Sequence, residues 1–188
     1  MDQEQLLSLL VETLDRLGIP YAIGGSHATM VYGRPRQTLD IDVVVELTPA
    51  RLKKLVAAFP FPDFYTSEDG ARAAVAGGGT FNIIHPDSGQ KIDFFVPRDE
   101  FERGEIARAV RVRTASGVEA SYVSPEDVIL MKMRYYEMGE SDKHLADSAI
   151  VLQRLGGRVD RAYIVAHAKT FGLTQVWQAI VQRVDTKP

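Results

Sequence analysis

The sequence predicts an α/β (α+β) protein: a sheet domain with flanking helices, followed by a small helical bundle. Three observations carry this reading. Periodic segments run helix, strand, helix, strand and then hairpins; the C-terminal third turns wholly helical; and apolar residues make up 45% and charged residues 25% of 188, as in ordinary globular domains. That length suffices for one hydrophobic core, or a core plus a small helical annex. We expect a sheet domain over residues 1–123 and a helical region over 124–188.

Residues 3–17 carry apolar side chains at Leu6, Leu9, Leu10, Leu14 and Leu17, a helical period that Gly18 ends. Residues 20–23 form a short apolar run closed by Gly24 and Gly25, and 26–32 read as a helix stopped by Gly33. The order is strand, tight turn, helix. A polar loop leads into 39–46, where Ile41, Val43, Val44 and Val45 have strand character. Thr48-Pro49 then opens a helix to about Phe59.

After a proline-rich stretch at 60–63, residues 68–76 look helical, and the glycines at 77–79 read as a mobile loop. Strands at 81–85 and 91–96 flank Pro86-Asp87-Ser88-Gly89, a turn-forming composition, and so form a hairpin. Strands at 110–114 and 118–123 form a second one around Ser116-Gly117, and residues 98–123 carry no informative functional motif. From Ser124, a good N-cap with Pro125 in the first turn, the pattern is helical; Gly139, Gly156-Gly157 and Gly172 divide it into four helices.

Composition excludes several classes. Without cysteine there is no disulfide framework, thiolate zinc site or cysteine nucleophile, so any metal must be held by oxygen or imidazole. No apolar run approaches the ~18 residues of a spanning helix, and the first residues are acidic, unlike a signal peptide; no membrane association and a cytoplasmic location are expected. The net charge of -3 argues against a surface wholly devoted to nucleic acid. Two local basic groups stand out: Arg98, Arg103, Arg108, Arg111 and Arg113, and the pair Arg34 and Arg36 just before the second strand. Each can be a solvated face or a binding patch, and Arg36 is a candidate for nucleotide contact.

Asp40 and Asp42 lie two apart in a strand, where alternate side chains share a face, so both carboxylates project from one side and can share a cation. The plainer alternative is the wet face of a half-buried strand. Gly24-Gly25-Ser26 puts a bare backbone turn at the start of a helix, where free N–H groups and the helix dipole favour phosphate; alternatively it is a tight turn with a serine cap. With thirteen residues between Ser26 and Asp40, the two features together form a phosphate cradle leading to a metal pair on the next strand.

This pattern resembles the nucleotidyltransferase superfamily that includes DNA polymerase beta, and Thr38-Leu39-Asp40-Ile41-Asp42 is close to that superfamily's usual wording. The resemblance implies a mixed sheet, an NTP bound with Mg2+ or Mn2+, and transfer of a nucleoside monophosphate to a hydroxyl with release of pyrophosphate. Two metals ~3.5 to 4 Å apart would stabilise the attacking and leaving oxygens. It also implies a third carboxylate on a nearby strand. Asp93, within Lys91-Ile92-Asp93-Phe94-Phe95, is the candidate, binding the second metal and helping to deprotonate the acceptor; otherwise it is an exposed residue of an amphipathic strand.

The helical half is similar to abortive-infection toxins of type IV toxin-antitoxin systems: a Ser-Pro-Glu-Asp helix start at Ser124, a lysine in that helix, Lys132, and a later aspartate, Asp147. By that analogy Lys132 contacts the NTP phosphates and Asp147 supports the nucleotide pocket. Lys132 shares a helix face with Val128, Met131 and Tyr135; snorkelling by Lys132 and a Lys143–Asp147 pair are the plain alternatives. The acceptor would be tRNA, protein or a small molecule, and an antitoxin would be a partner. The opposing class is a catalytically silent nucleotide- or partner-binding module on the same fold. His27, His85, His144 and His167 lie in separate elements and form no spaced metal cluster, and there is no Walker-type loop.

Overall fold

Six strands, β1 (Tyr21–Ile23), β2 (Asp40–Val45), β3 (Gly79–His85), β4 (Gln90–Val96), β5 (Val110–Arg113) and β6 (Glu119–Tyr122), form one sheet in the order β3-β4-β2-β1-β6-β5. The computed structural model describes residues 1–35, 37–114, 117–139 and 141–186. Arg36, the candidate nucleotide contact, and Ser116, half of the turn expected in the second hairpin, lie outside them. The sheet is mixed: β1 runs antiparallel to β2 and parallel to β6, β2 runs parallel to β4, and β3–β4 and β5–β6 are antiparallel hairpins.

The chain divides into two compact units. The first comprises Met1–His27 and Gln37–Val123 and holds the whole sheet; the second comprises Ala28–Arg36 and Ser124–Pro188. In the first unit, alternation along β2 and β4 buries Ile41, Val43, Val45, Ile92 and Phe94 and leaves Asp40, Asp42, Lys91 and Asp93 half-buried on the other face. The residues that make the strands strand-like therefore aim the polar ones at a common surface.

Helices of this unit start where their sequences supply caps. In α1 (Gln3–Leu17) the Gln5 N–H donates to Asp2 Oδ1 and the Asp2 N–H to Gln5 Oε1, both at 2.8 Å, a reciprocal capping box. The helix ends at Gly18 with φ 61°, and its Leu6, Leu7, Leu10, Val11 and Leu14 stripe is buried. Thr48 accepts from the Arg51 N–H at the start of α3 (Pro49–Ala57), and Ser67 from the Gly70 N–H at the start of α4 (Glu68–Gly77).

Two features of this unit differ from the sequence reading. The glycine triplet spans a helix-to-strand turn rather than a loop: Gly77 ends α4, Gly78 has φ 71°, and Gly79 opens β3. Arg98 lies so close that a Cβ on Gly78 would stand 2.8 Å from its Cγ, so the glycine is needed for packing. Residues 98–123, which carry no informative motif, include a helix, α5 (Glu100–Ala107), begun by Asp99 accepting from the Glu102 N–H at 2.8 Å.

The second unit is built from α6 (Pro125–Gly139), α7 (Asp142–Leu155), α8 (Arg161–Thr170) and α9 (Thr174–Asp185) around Ile129, Leu130, Met133, Leu152, Ile164 and Ile180. Ser124 Oγ accepts from the Asp127 N–H at 3.2 Å, which caps α6 where the sequence signals a start. Asp127, fully buried, accepts from the Tyr163 hydroxyl at 2.8 Å, so α6 and α8 are joined by a satisfied polar contact. Among the described residues no helix is long and apolar enough to cross a membrane.

Candidate active site

The parallel pairing of β2 with β4 brings the aspartates together. Asp42 stands opposite Asp93 and Asp40 opposite Lys91, and β3 continues the first row with Asn82 opposite Asp93. Residues paired on neighbouring strands share a face, so Asp42, Asp93 and Asn82 form one row across three strands, with Asp40 and Lys91 in the next. Asp93 is therefore on the same surface as the Asp40–Asp42 pair.

The turn after β1 meets this row directly. The Gly24 N–H donates to the Asp42 carbonyl oxygen at 2.9 Å, and α2 (Gly25–Tyr32) begins with the Ser26 N–H bonded to the Asp42 carboxylate. Gly25 has φ 51°, and a Cβ there would lie 1.8 Å from Asp42 Oδ2; at Gly24 a Cβ would meet only Val123 Cγ2, at an ordinary 3.6 Å. The two glycines thus have different duties. Gly24 is simply small, whereas Gly25 must lack a side chain for the carboxylate to reach the start of the helix.

Charge in the row is crowded. Burial, then the Asp93 and Asp40 carboxylates, push the Asp42 carboxyl above its ordinary value, against the Ser26 N–H and Lys91, which favour the charged form. Lys91 Nζ is 2.6 Å from Asp93 Oδ2 and 3.6 Å from Asp40 Oδ2. The hydrogen bond to Asp93 raises the Lys91 ammonium above the usual lysine range, and burial opposes that rise. Lys91 is the site residue that sequence reasoning passed over. Its signal was available: it lies two residues before Asp93 on the same strand and so shares its face.

The donors suit a hard divalent cation: three carboxylates and no softer ligand on one surface. As the side chains stand, among the described residues no three His, Asp or Glu groups are arranged to hold a metal ion, and it is Lys91 that touches two of the carboxylates.

Lys132 and Asp147 belong to the second unit and meet there. Lys132 Nζ donates to Asp147 Oδ2 at 2.8 Å, with the two side chains only 7% and 12% exposed. The lysine of the apolar stripe is thus buried and paired across α6 and α7. In the basic group, Arg113 pairs with Glu119 at 2.6 Å, Arg111 stands 3.6 Å from Asp15, and Arg108 lies over the Phe101 ring, so these three engage their own chain.

No family model and no curated protein matches the chain. Its fold does match solved structures over nearly its whole length. The crystal structure of ANT(2'')-Ia in complex with adenylyl-2''-tobramycin matches with a TM-score of 0.56 at 19% identity, over 96% of this chain and 98% of that one. The solution structure of the same antibiotic-resistance factor gives 0.55 at 18% over 93% and 97%. An antigenic nucleotidyltransferase-like protein from Paracoccidioides brasiliensis gives 0.55 at 18% over 94% and 92%. The chain has the nucleotidyltransferase fold.

Proposed function

We propose that on this fold the chain is a metal-dependent nucleotidyltransferase, moving a nucleoside monophosphate from an NTP to an acceptor hydroxyl. The observation that carries the reading is the register that sets Asp42 beside Asp93, with Asp40 on the same face and the Gly24-Gly25-Ser26 turn against Asp42. Asp40, Asp42 and Asp93 would hold Mg2+ or Mn2+, which neutralises the triphosphate and the charge that develops on transfer. The acceptor oxygen attacks the α-phosphorus, the bond to the β-phosphate oxygen breaks, pyrophosphate leaves, and Asp93 takes the hydroxyl proton. The Gly24-Gly25-Ser26 turn, whose Gly24 and Ser26 N–H groups bond Asp42, holds that carboxylate in place beside the triphosphate.

For the acceptor, the product-like ligand of the ANT(2'')-Ia complex, an adenylylated tobramycin, favours a small molecule bearing hydroxyls over RNA or a protein side chain. The test is to incubate the protein with each α-labelled NTP, Mg2+ and, separately, tRNA, a protein extract and a small-molecule extract. An Asp40→Ala, Asp42→Ala double variant is the control. Metal-dependent label transfer by wild type alone supports the reading. Tight NTP binding without transfer in any arm assigns the chain to silent binding modules. No transfer, with binding no better than the double variant, removes the catalytic reading.

A further inference from the structure

Lys91 is placed by two independent features of the sheet. Alternation along β4 puts it on the face of Asp93, and the parallel register puts it opposite Asp40 on β2. Its ammonium reaches both, 2.6 Å from Asp93 and 3.6 Å from Asp40, while Asp42 stands beside Asp93 in the adjoining row. Two of the three carboxylates assigned to the metal are therefore already engaged by a cation of the chain itself. The lysine side chain is 36% exposed, on a flexible four-carbon stem, so it can leave toward water without opening the core.

We propose that Lys91 is the resident counter-cation of the metal-free site and competes with the divalent metal for Asp93 and Asp40. Loading the site displaces its ammonium. This rests on the metal-dependent reading above and adds a consequence to it. Without Lys91, three carboxylates on one half-buried face would repel one another and splay apart. With it, they stay assembled, at the cost of a weaker hold on the metal. The lysine thereby sets the metal concentration at which the site fills.

The test is Mn2+ binding to the NTP-free full chain, read by loss of the free-ion paramagnetic resonance signal. Wild type is compared with Lys91→Met, Lys91→Gln, Lys91→Arg and Asp93→Asn, with melting curves in EDTA and in Mn2+. Removing a positive charge a few ångströms from the ion should tighten Mn2+ binding about ten-fold or more in Lys91→Met and Lys91→Gln. Lys91→Arg should stay near wild type, and Asp93→Asn should bind more weakly. In EDTA the two uncharged variants should melt below wild type and recover more of that loss in Mn2+. A merely structural lysine would lower the melting temperature without tightening metal binding. Mn2+ affinity equal to or weaker than wild type in both uncharged variants overturns the competition and leaves the proposed function standing. Absence of Mn2+ binding by every variant up to millimolar ion overturns the metal-dependent function itself, and the competition with it.

Discussion

Both units place a lysine ammonium against an aspartate at nearly the same distance, 2.6 Å for Lys91 and Asp93 and 2.8 Å for Lys132 and Asp147, yet the two contacts differ in kind. In the helical unit the ammonium and the carboxylate it meets are both withdrawn from water, at 7% and 12% exposure. On the sheet one ammonium is shared among an excess of carboxylates, on a surface where Asp40 keeps 43% of its side-chain exposure. A closed pair holds a fold together. An open surplus of charge calls for a ligand; strand register sets its members on one face, and Lys91 offsets their repulsion.

The largest expected effect tests the sheet side of this contrast. Gly25→Ala sets a methyl group into the Asp42 carboxylate at a positive φ, so it should displace the carboxylate and lower nucleotidyl transfer at least as severely as loss of a catalytic group, about 10²-fold or more. Gly24→Ala, with an ordinary contact to Val123, should retain activity within about ten-fold. Equal effects of the two substitutions in a transfer assay would remove the distinct duty given to Gly25.

Next in size is a stability effect in the helical unit. Lys132→Met leaves Asp147 buried without that partner and should cost about 3–5 kcal/mol in denaturant unfolding, while the Lys132→Met, Asp147→Leu double variant should recover much of it. Retained stability in the single variant would mean that the pair is as open as its counterpart on the sheet.

The smallest effect concerns an exposed ion pair joining α7 to α9, in which Arg183 donates to Asp142 at 3.0 Å through Nη1. Its hydrogen bond holds the Asp142 carboxyl below the ordinary 3.8, so the pair's contribution is complete above that value and is lost as pH falls through the lowered one. Thermal melts of wild type and Arg183→Gln should differ by about a degree or less at neutral pH, and converge only under pH 3.8. A gap that closes already at pH 5 would contradict the assignment.

The carboxylate row was legible in sequence because two-residue alternation in a strand needs no tertiary information: Asp40 and Asp42 had to share a side. Asp93 required the resemblance, since nothing local says that β4 lies parallel to β2 in the register that faces Asp93 with Asp42. Lys91 was missed for the same reason. Its strand position was plain, but its role depends on Asp40 across the ladder. Helix α5 escaped although Asp99 and Glu102 have cap spacing, because Gly104 and a dense run of charges hide an apolar period. The different duties of Gly24 and Gly25 are invisible in the sequence and follow from which one faces Asp42.

On the proposed function the carboxylate row serves a metal-bound nucleotide rather than the fold. The most direct measurement is calorimetric binding of each NTP, with Mg2+ and with EDTA, to wild type and Asp42→Asn, alongside their melting temperatures in EDTA. Because Asp42 is crowded by burial and by Asp93 and Asp40, the amide should melt no lower than wild type while losing about ten-fold or more of the Mg2+-dependent affinity for at least one NTP. NTP affinity that is indifferent both to Mg2+ and to the substitution, with a lowered melting temperature, would show Asp42 to be a structural residue and contradict the account.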